Sequence, residues 1–157
     1  ELGAGGGRLL KLWNQHNCHT LSLEWSDALY PILKKNAEFY NLKSKKIDIS
    51  SKSFTKEIDQ KFDLIFCTQV LLHIHPLYIQ NVMNNINSVS KKDIIIITYS
   101  DENNIDNDST IKTSSFNHNY EELFKKNNWN IEIKLDLYFD KYKKDKLVTN
   151  KIYVLSK

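Results

Sequence analysis

Glu1-Leu2-Gly3-Ala4-Gly5-Gly6-Gly7 opens the chain, and all four of its glycines fall in this one stretch. Glycine serves where backbone must take a positive φ or let a ligand come close to the main chain. The cluster runs directly into Leu9, Leu10, Leu12 and Trp13, whose spacing predicts a tight turn opening a helix over 8–15. The start of such a helix offers unpaired N–H groups and the positive end of a dipole to electronegative ligand groups.

Outward from that turn, strand and helix patterns alternate. Residues 19–23 alternate apolar and polar up to Glu24 and predict a strand. A helix is expected over 28–40, capped by Ser26 or Asp27, with Pro31 in the first turn, where a missing N–H is tolerated. A short strand is expected over 46–49, a helical turn over 54–60, and a buried parallel strand over 62–68. Leu77, Ile79, Val82, Met83, Ile86 and Val89 fall close to helical spacing just after Pro76. Residues 93–99 are rich in β-branched side chains and give the strongest strand signal. From 100 to 117 the chain turns polar and predicts a loop, followed by a helix over 120–127. The stretches 131–139 and 151–155 alternate again around a lysine-rich turn, as an antiparallel hairpin does. This succession argues for an α/β fold, a mainly parallel sheet that binds ligands at the carboxyl ends of its strands.

Composition narrows the function. A chain of 157 residues, 41% hydrophobic and 26% charged, suits one packed domain rather than two full-sized ones. Arg8 is the sole arginine among 22 basic residues. Bidentate reading of guanine edges or phosphates is arginine chemistry, so nucleic acid is not an expected partner. The longest wholly apolar runs, such as 94–97, fall far short of the ~18–20 residues of a membrane span. Cys18 and Cys67 imply no disulfide framework, which fits a reducing cytoplasm. The pair His73 and His75 has strand-like ligand spacing, and His16, Cys18 and His19 make a similar group. Neither has a nearby set of further ligands, so no metal is expected.

Glu24 lies seventeen residues past the last glycine, at the end of the next strand, where a carboxylate can accept hydrogen bonds from a ribose. Trp25 beside it supplies a flat stacking surface. Together these residues resemble the class I S-adenosylmethionine-dependent methyltransferases. Glu1 through Gly7 is similar to the family's acidic-x-Gly-x-Gly-x-Gly motif, and Glu24-Trp25-Ser26 to its ribose acid and adenine-side residues. Asp48 sits where the family often places an acid near the adenine amino group. The run Phe62-Asp63-Leu64-Ile65-Phe66-Cys67-Thr68-Gln69-Val70-Leu71-Leu72-His73-Ile74 resembles its strand-4 block.

The resemblance implies a Rossmann-like sheet of order 3-2-1-4-5-7-6, mostly parallel with a C-terminal antiparallel hairpin. The body of strand 1 would precede Glu1, so residues 1–157 are expected to be a single domain incomplete at its N-terminus and marginal in stability. It implies S-adenosyl-L-methionine as cofactor, held by Glu1, Gly3, Ala4, Gly5, Gly7, Glu24, Trp25, Ser26, Asp48, Ile49, Cys67 and Thr68. A small-molecule acceptor would be bordered by Gln69, His73, Tyr99 and Asp101, with His73 a candidate base. Two other readings stay open. A nicotinamide or flavin domain would need G-x-G-x-x-G, but counted from Gly3 the third glycine falls on Arg8. A non-catalytic domain of the methyltransferase fold, serving as a binding module, would carry the same glycine turn.

Overall fold

In a computed structural model, residues 1–99, 115–138 and 149–157 are described, apart from the side chains of Tyr99, Tyr138 and Thr149. The chain divides into two compact units, Glu1–Phe54 and Thr55–Lys157.

In the first unit, helix α1 (Leu10–Gln15) and strand β1 (Leu21–Glu24) lead to helix α2 (Tyr30–Phe39) and strand β2 (Lys43–Lys46). β1 and β2 pair in parallel. On the other side of β1, Leu2 bridges to Leu23 in parallel. Glu1 N donates to Leu21 O, Leu23 N to Glu1 O and Ala4 N to Leu23 O, at 3.0, 2.9 and 2.8 Å. The chain therefore enters as a third parallel rung before it turns at the glycines. Leu10 of α1 and Leu33 and Ala37 of α2 bury against Ala4, with Tyr30, Tyr40 and Leu42 around them.

Three expectations shift here. The helix expected from residue 8 starts at Leu10, because residues 5–9 are taken up by the turn. α2 is flanked by Leu29 rather than by Ser26 or Asp27, although Ser26 Oγ still accepts from Leu29 N at 3.3 Å. The strand expected over 46–49 lies at Lys43–Lys46 instead. An outer strand of a sheet is commonly lined with lysine, so its polar sequence hid it, whereas Ile47 and Ile49 are buried in the loop that follows.

α3 (Phe54–Glu57) spans the division between the units. The second unit holds β3 (Phe62–Thr68), a 3-10 turn at Leu71–His73, α4 (Pro76–Val89), β4 (Ser90–Tyr99), α5 (Tyr120–Lys126), β5 (Asn130–Tyr138) and β6 (Thr149–Ser156). Its sheet has the order β3-β4-β6-β5, with β3 and β4 parallel and β6 antiparallel to both neighbours. One of its three pairings is parallel and two are antiparallel, so this sheet is mixed and carries the C-terminal antiparallel hairpin expected from the sequence, while the parallel β1–β2 pair forms a separate sheet. The first half of β3 is largely exposed rather than buried throughout.

Side chains alternate across the sheet. Ile94, Ile96, Thr98, Tyr153 and Leu155 are fully or almost fully buried on one face. There the Tyr153 ring meets Phe124 and Tyr120 of α5 at centroid distances of 5.1 and 6.2 Å. The Tyr120 and Thr98 hydroxyls share a 2.9 Å hydrogen bond, and burial raises the Tyr120 phenol well above its ordinary range. Asn17, Asn41 and Asn128, each just past the end of a helix, take left-handed φ of 51°, 54° and 58°.

Candidate functional site

The first unit gathers the glycine turn, the loop after β1 and the loop after β2 at the carboxyl ends of its parallel strands, where such sheets bind ligands. Gly3, Gly5 and Gly7 have positive φ. At Gly7, with φ of 89°, an added Cβ would meet Leu10 Cδ1 at 2.4 Å, so a side chain there would have to displace the buried Leu10. At Gly5, with φ of 57°, an added Cβ would meet nothing within 4 Å. The backbone there borders open space.

Glu24 organises the turn. Its side chain is buried, and its two carboxylate oxygens accept three backbone hydrogen bonds, from Gly5 N to Oε2 at 2.8 Å and from Trp25 N and Ser26 N to Oε1 at 2.9 and 2.8 Å. A carboxylate offers about four acceptor positions, so one remains, on Oε2. Trp25 is 68% exposed, its ring uncovered beside that carboxylate. Asp48 is exposed and accepts from Ser50 N and Ser50 Oγ at 2.8 and 2.7 Å, which shapes the loop after β2, and Ile49 is buried beneath it.

Glu1 plays a different part, since its Oε2 accepts from Trp13 Nε1 at 3.0 Å and Ser22 Oγ at 3.2 Å and so ties α1 to β1. Asn36 of α2 donates through Nδ2 to Gly6 O at 2.7 Å. No local sequence pattern marks this contact, which fixes the turn from thirty residues away.

In the second unit, Cys67 and Thr68 end β3. Cys67 is buried, and desolvation pushes its thiol up to about 12, which makes it unsuited to nucleophilic work. Gln69 follows with a left-handed φ of 56°, its N donating to Ile97 O at 2.7 Å and its Nε2 to Asn150 Oδ1 at 3.0 Å. His73 is exposed in the 3-10 turn, whereas His75 caps α4 by accepting from Leu77 N at Nδ1. His118, which the sequence reading passed over, is buried and holds this turn. Its Nε2 lies 3.1 Å from Leu71 O and 2.9 Å from Ile74 O, so Nε2 carries a proton and donates to both carbonyls. Phe116 N adds a 2.6 Å bond to Leu72 O. Tyr99 closes β4, but its side chain and the whole of Asp101 lie outside the described residues, as do residues 100–114 of the polar loop and the lysine-rich turn. Among the described residues no three His, Cys, Asp or Glu side chains gather as a metal would require, and no helix is long and apolar enough to cross a membrane.

A sequence model described as "Methyltransferase domain" matches residues 1–93. Comparison with curated proteins finds no match. Among solved structures, magnesium protoporphyrin IX methyltransferase from Synechocystis with bound S-adenosylmethionine superposes with a TM-score of 0.73 at 13% identity, covering 99% of this chain and 67% of that one. An S-adenosylmethionine-dependent methyltransferase from Clostridium acetobutylicum gives 0.74 at 16% identity, with coverage of 99% and 81%. One from Methanosarcina mazei gives 0.76 at 11%, with coverage of 99% and 90%. At these identities the superpositions speak for the fold, while the sequence model matches well over half of the chain, and on that match the chain belongs to the methyltransferase domain family, with the fold of its class I S-adenosylmethionine-dependent members.

Proposed function

We propose that this chain binds S-adenosylmethionine through the glycine turn and Glu24 and serves methyl transfer to a small-molecule acceptor. The observation that carries the reading is Gly5, whose left-handed backbone has no protein atom near its Cβ position and whose N–H bonds the Glu24 carboxylate. A ligand can there approach the main chain, while one remaining acceptor position on a buried carboxylate receives a ribose hydroxyl. Three N–H groups already fix that carboxylate, so it meets the sugar without reorganising. The exposed Trp25 ring offers area to the adenine, with Ser26, Asp48 and Ile49 around the same end, and Glu1, Gly3, Ala4 and Gly7 shape the turn.

The sulfonium of S-adenosylmethionine brings a methyl group already activated for transfer, so the protein's task is to hold, align and exclude water. To the second unit we assign the roles implied by the resemblance: Cys67 and Thr68 toward the cofactor, and Gln69, His73, Tyr99 and Asp101 toward the acceptor. His73, exposed on a turn pinned by His118, takes a proton from an acceptor that must lose one. We further propose that residues 1–157 act as one domain, a reading supported by the family match running across the division at Phe54.

Calorimetric titration with S-adenosylmethionine, and with NADH as control, tests the cofactor. One equivalent of S-adenosylmethionine should bind, and at about 100 times its Kd should add about 2.7 kcal/mol to stability. Binding of NADH in its place would overturn the reading.

A further inference from the structure

β5 is an outer strand of the second unit's sheet, with β6 its only strand partner among the described residues. Every residue from 130 to 136 is exposed, including Ile131 at 37%, Ile133 at 46% and Leu135 at 52%. An open strand edge bearing apolar side chains is a template for pairing with another strand. Two mainly apolar rows reach that edge along the register. Phe66, Ile95, Val154 and Ile133 stand side by side across the four strands, and so do Thr68, Ile97, Ile152 and Leu135.

The edge is complementary to itself. Antiparallel pairing of two identical strands about a two-fold axis places residues of equal offset opposite one another. With the axis at Lys134, lysine would face lysine and Glu132 would face Asp136. With the axis at Leu135, Leu135 faces Leu135, Ile133 faces Leu137 on the same side of the sheet, and Lys134 faces Asp136 on the other. Both charged pairs are then of opposite sign. This register uses 133–138, where β5 runs in regular register with β6, and avoids the irregularity between Ile131 and Ile133. An axis at Ile133 would also match charges but falls on that irregularity. Lys134 and Asp136 are held from within the chain by Glu121 and Lys151, so the edge presents ordered charges rather than mobile ones.

We propose that two copies of this chain join through β5, antiparallel about Leu135, extending the four-stranded sheet into one of eight strands. The lone lysine then selects the register instead of blocking association.

Sedimentation velocity of the full chain should show a concentration-dependent dimer. Lys134→Glu, which sets glutamate opposite Asp136 at both symmetry-related positions, should raise the dimer dissociation constant about tenfold, and Leu135→Arg should abolish the dimer. Both positions are exposed or partly exposed, and a thermal melt by circular dichroism confirms that each variant is folded. In a Cys18→Ser background, Leu135→Cys should crosslink between chains under mild oxidation, because directly opposed Cβ atoms lie about 4.5–5.5 Å apart. Ile133→Cys should not, its symmetry mate being about 13 Å away along the strand. A monomer at every concentration, a dimer indifferent to Lys134→Glu and Leu135→Arg, or crosslinking at 133 as fast as at 135 would overturn the proposal. None of these readouts depends on cofactor binding, so the pairing stands or falls apart from the proposed function.

Discussion

Replacing Glu24 by glutamine changes one oxygen for an amide and leaves the size of the side chain almost unaltered. The carboxylate accepts from Gly5 N, Trp25 N and Ser26 N at 2.8, 2.9 and 2.8 Å. Glutamine has a single side-chain oxygen. If that oxygen stays with Trp25 and Ser26, the new NH2 group confronts the Gly5 N–H, donor against donor, and a part-buried amide loses its partner. One hydrogen bond to a charged group is worth about 1.5–3 kcal/mol net, and the two that survive become neutral and roughly half as strong. The expected loss is about 3–5 kcal/mol, a large part of the ~5–15 kcal/mol that holds a domain together. For a chain of this size it should lower Tm by about 10 °C. Urea unfolding followed by tryptophan fluorescence measures the stability, and calorimetry below the transition measures S-adenosylmethionine affinity. Loss of the ribose acceptor should weaken that affinity about 10- to 100-fold. A Glu24→Gln variant that melts within about 2 °C of the parent would refute the clamp. A folded variant binding within about threefold of the parent would refute the ribose assignment.

Gly5→Ala and Gly7→Ala should separate binding from packing. The first meets open space and should cost only about 1–2 kcal/mol of backbone strain while abolishing cofactor binding, whereas the second collides with Leu10 and should destabilise further whether or not cofactor is present, as melting with and without S-adenosylmethionine would show. Iodoacetamide at pH 8 should label the exposed Cys18 quickly and leave Cys67 untouched until urea unfolds the chain. Burial pushes the Cys67 thiol up to about 12, so it is almost wholly un-ionised at pH 8 in the folded state, and folded-state labelling of Cys67 at a Cys18-like rate would contradict its burial. Asn36→Ala, which removes the 2.7 Å bond to Gly6 O, should cost about 1 kcal/mol, read by urea unfolding. His118→Phe keeps the ring but removes the donor shared by Leu71 O and Ile74 O, so hydrogen exchange at 71–75 should quicken while that of β4 stays slow.

Elements marked by a strong local signal, an apolar run or a proline, were legible in the sequence. β3 falls on Phe62–Thr68 as the apolar run indicated, and α4 begins at Pro76 because proline there surrenders an N–H that no helix would use. β2 was misplaced because Lys43, Ser44, Lys45 and Lys46 carry no apolar alternation, and only their pairing with β1 makes them a strand. Within the candidate site, the glycines and Glu24 were singled out by spacing. What spacing could not convey is that the carboxylate already serves three amides, or that Glu1 is tied to Trp13 and Ser22. Asn36 and His118 escaped notice for a related reason. Each acts through a single polar atom on backbone far away in sequence, and neither residue type stands out where it occurs.

The asparagines that end α1, α2 and α5 supply a control within the molecule. At 17, 41 and 128 this chain meets a left-handed backbone with asparagine, not glycine, although glycine is the residue of lowest strain there. Positive φ alone, then, does not require glycine in this protein. At Gly7 an added Cβ would press on Leu10. Gly5 has no such neighbour, so a side chain there would obstruct none of the chain's own packing.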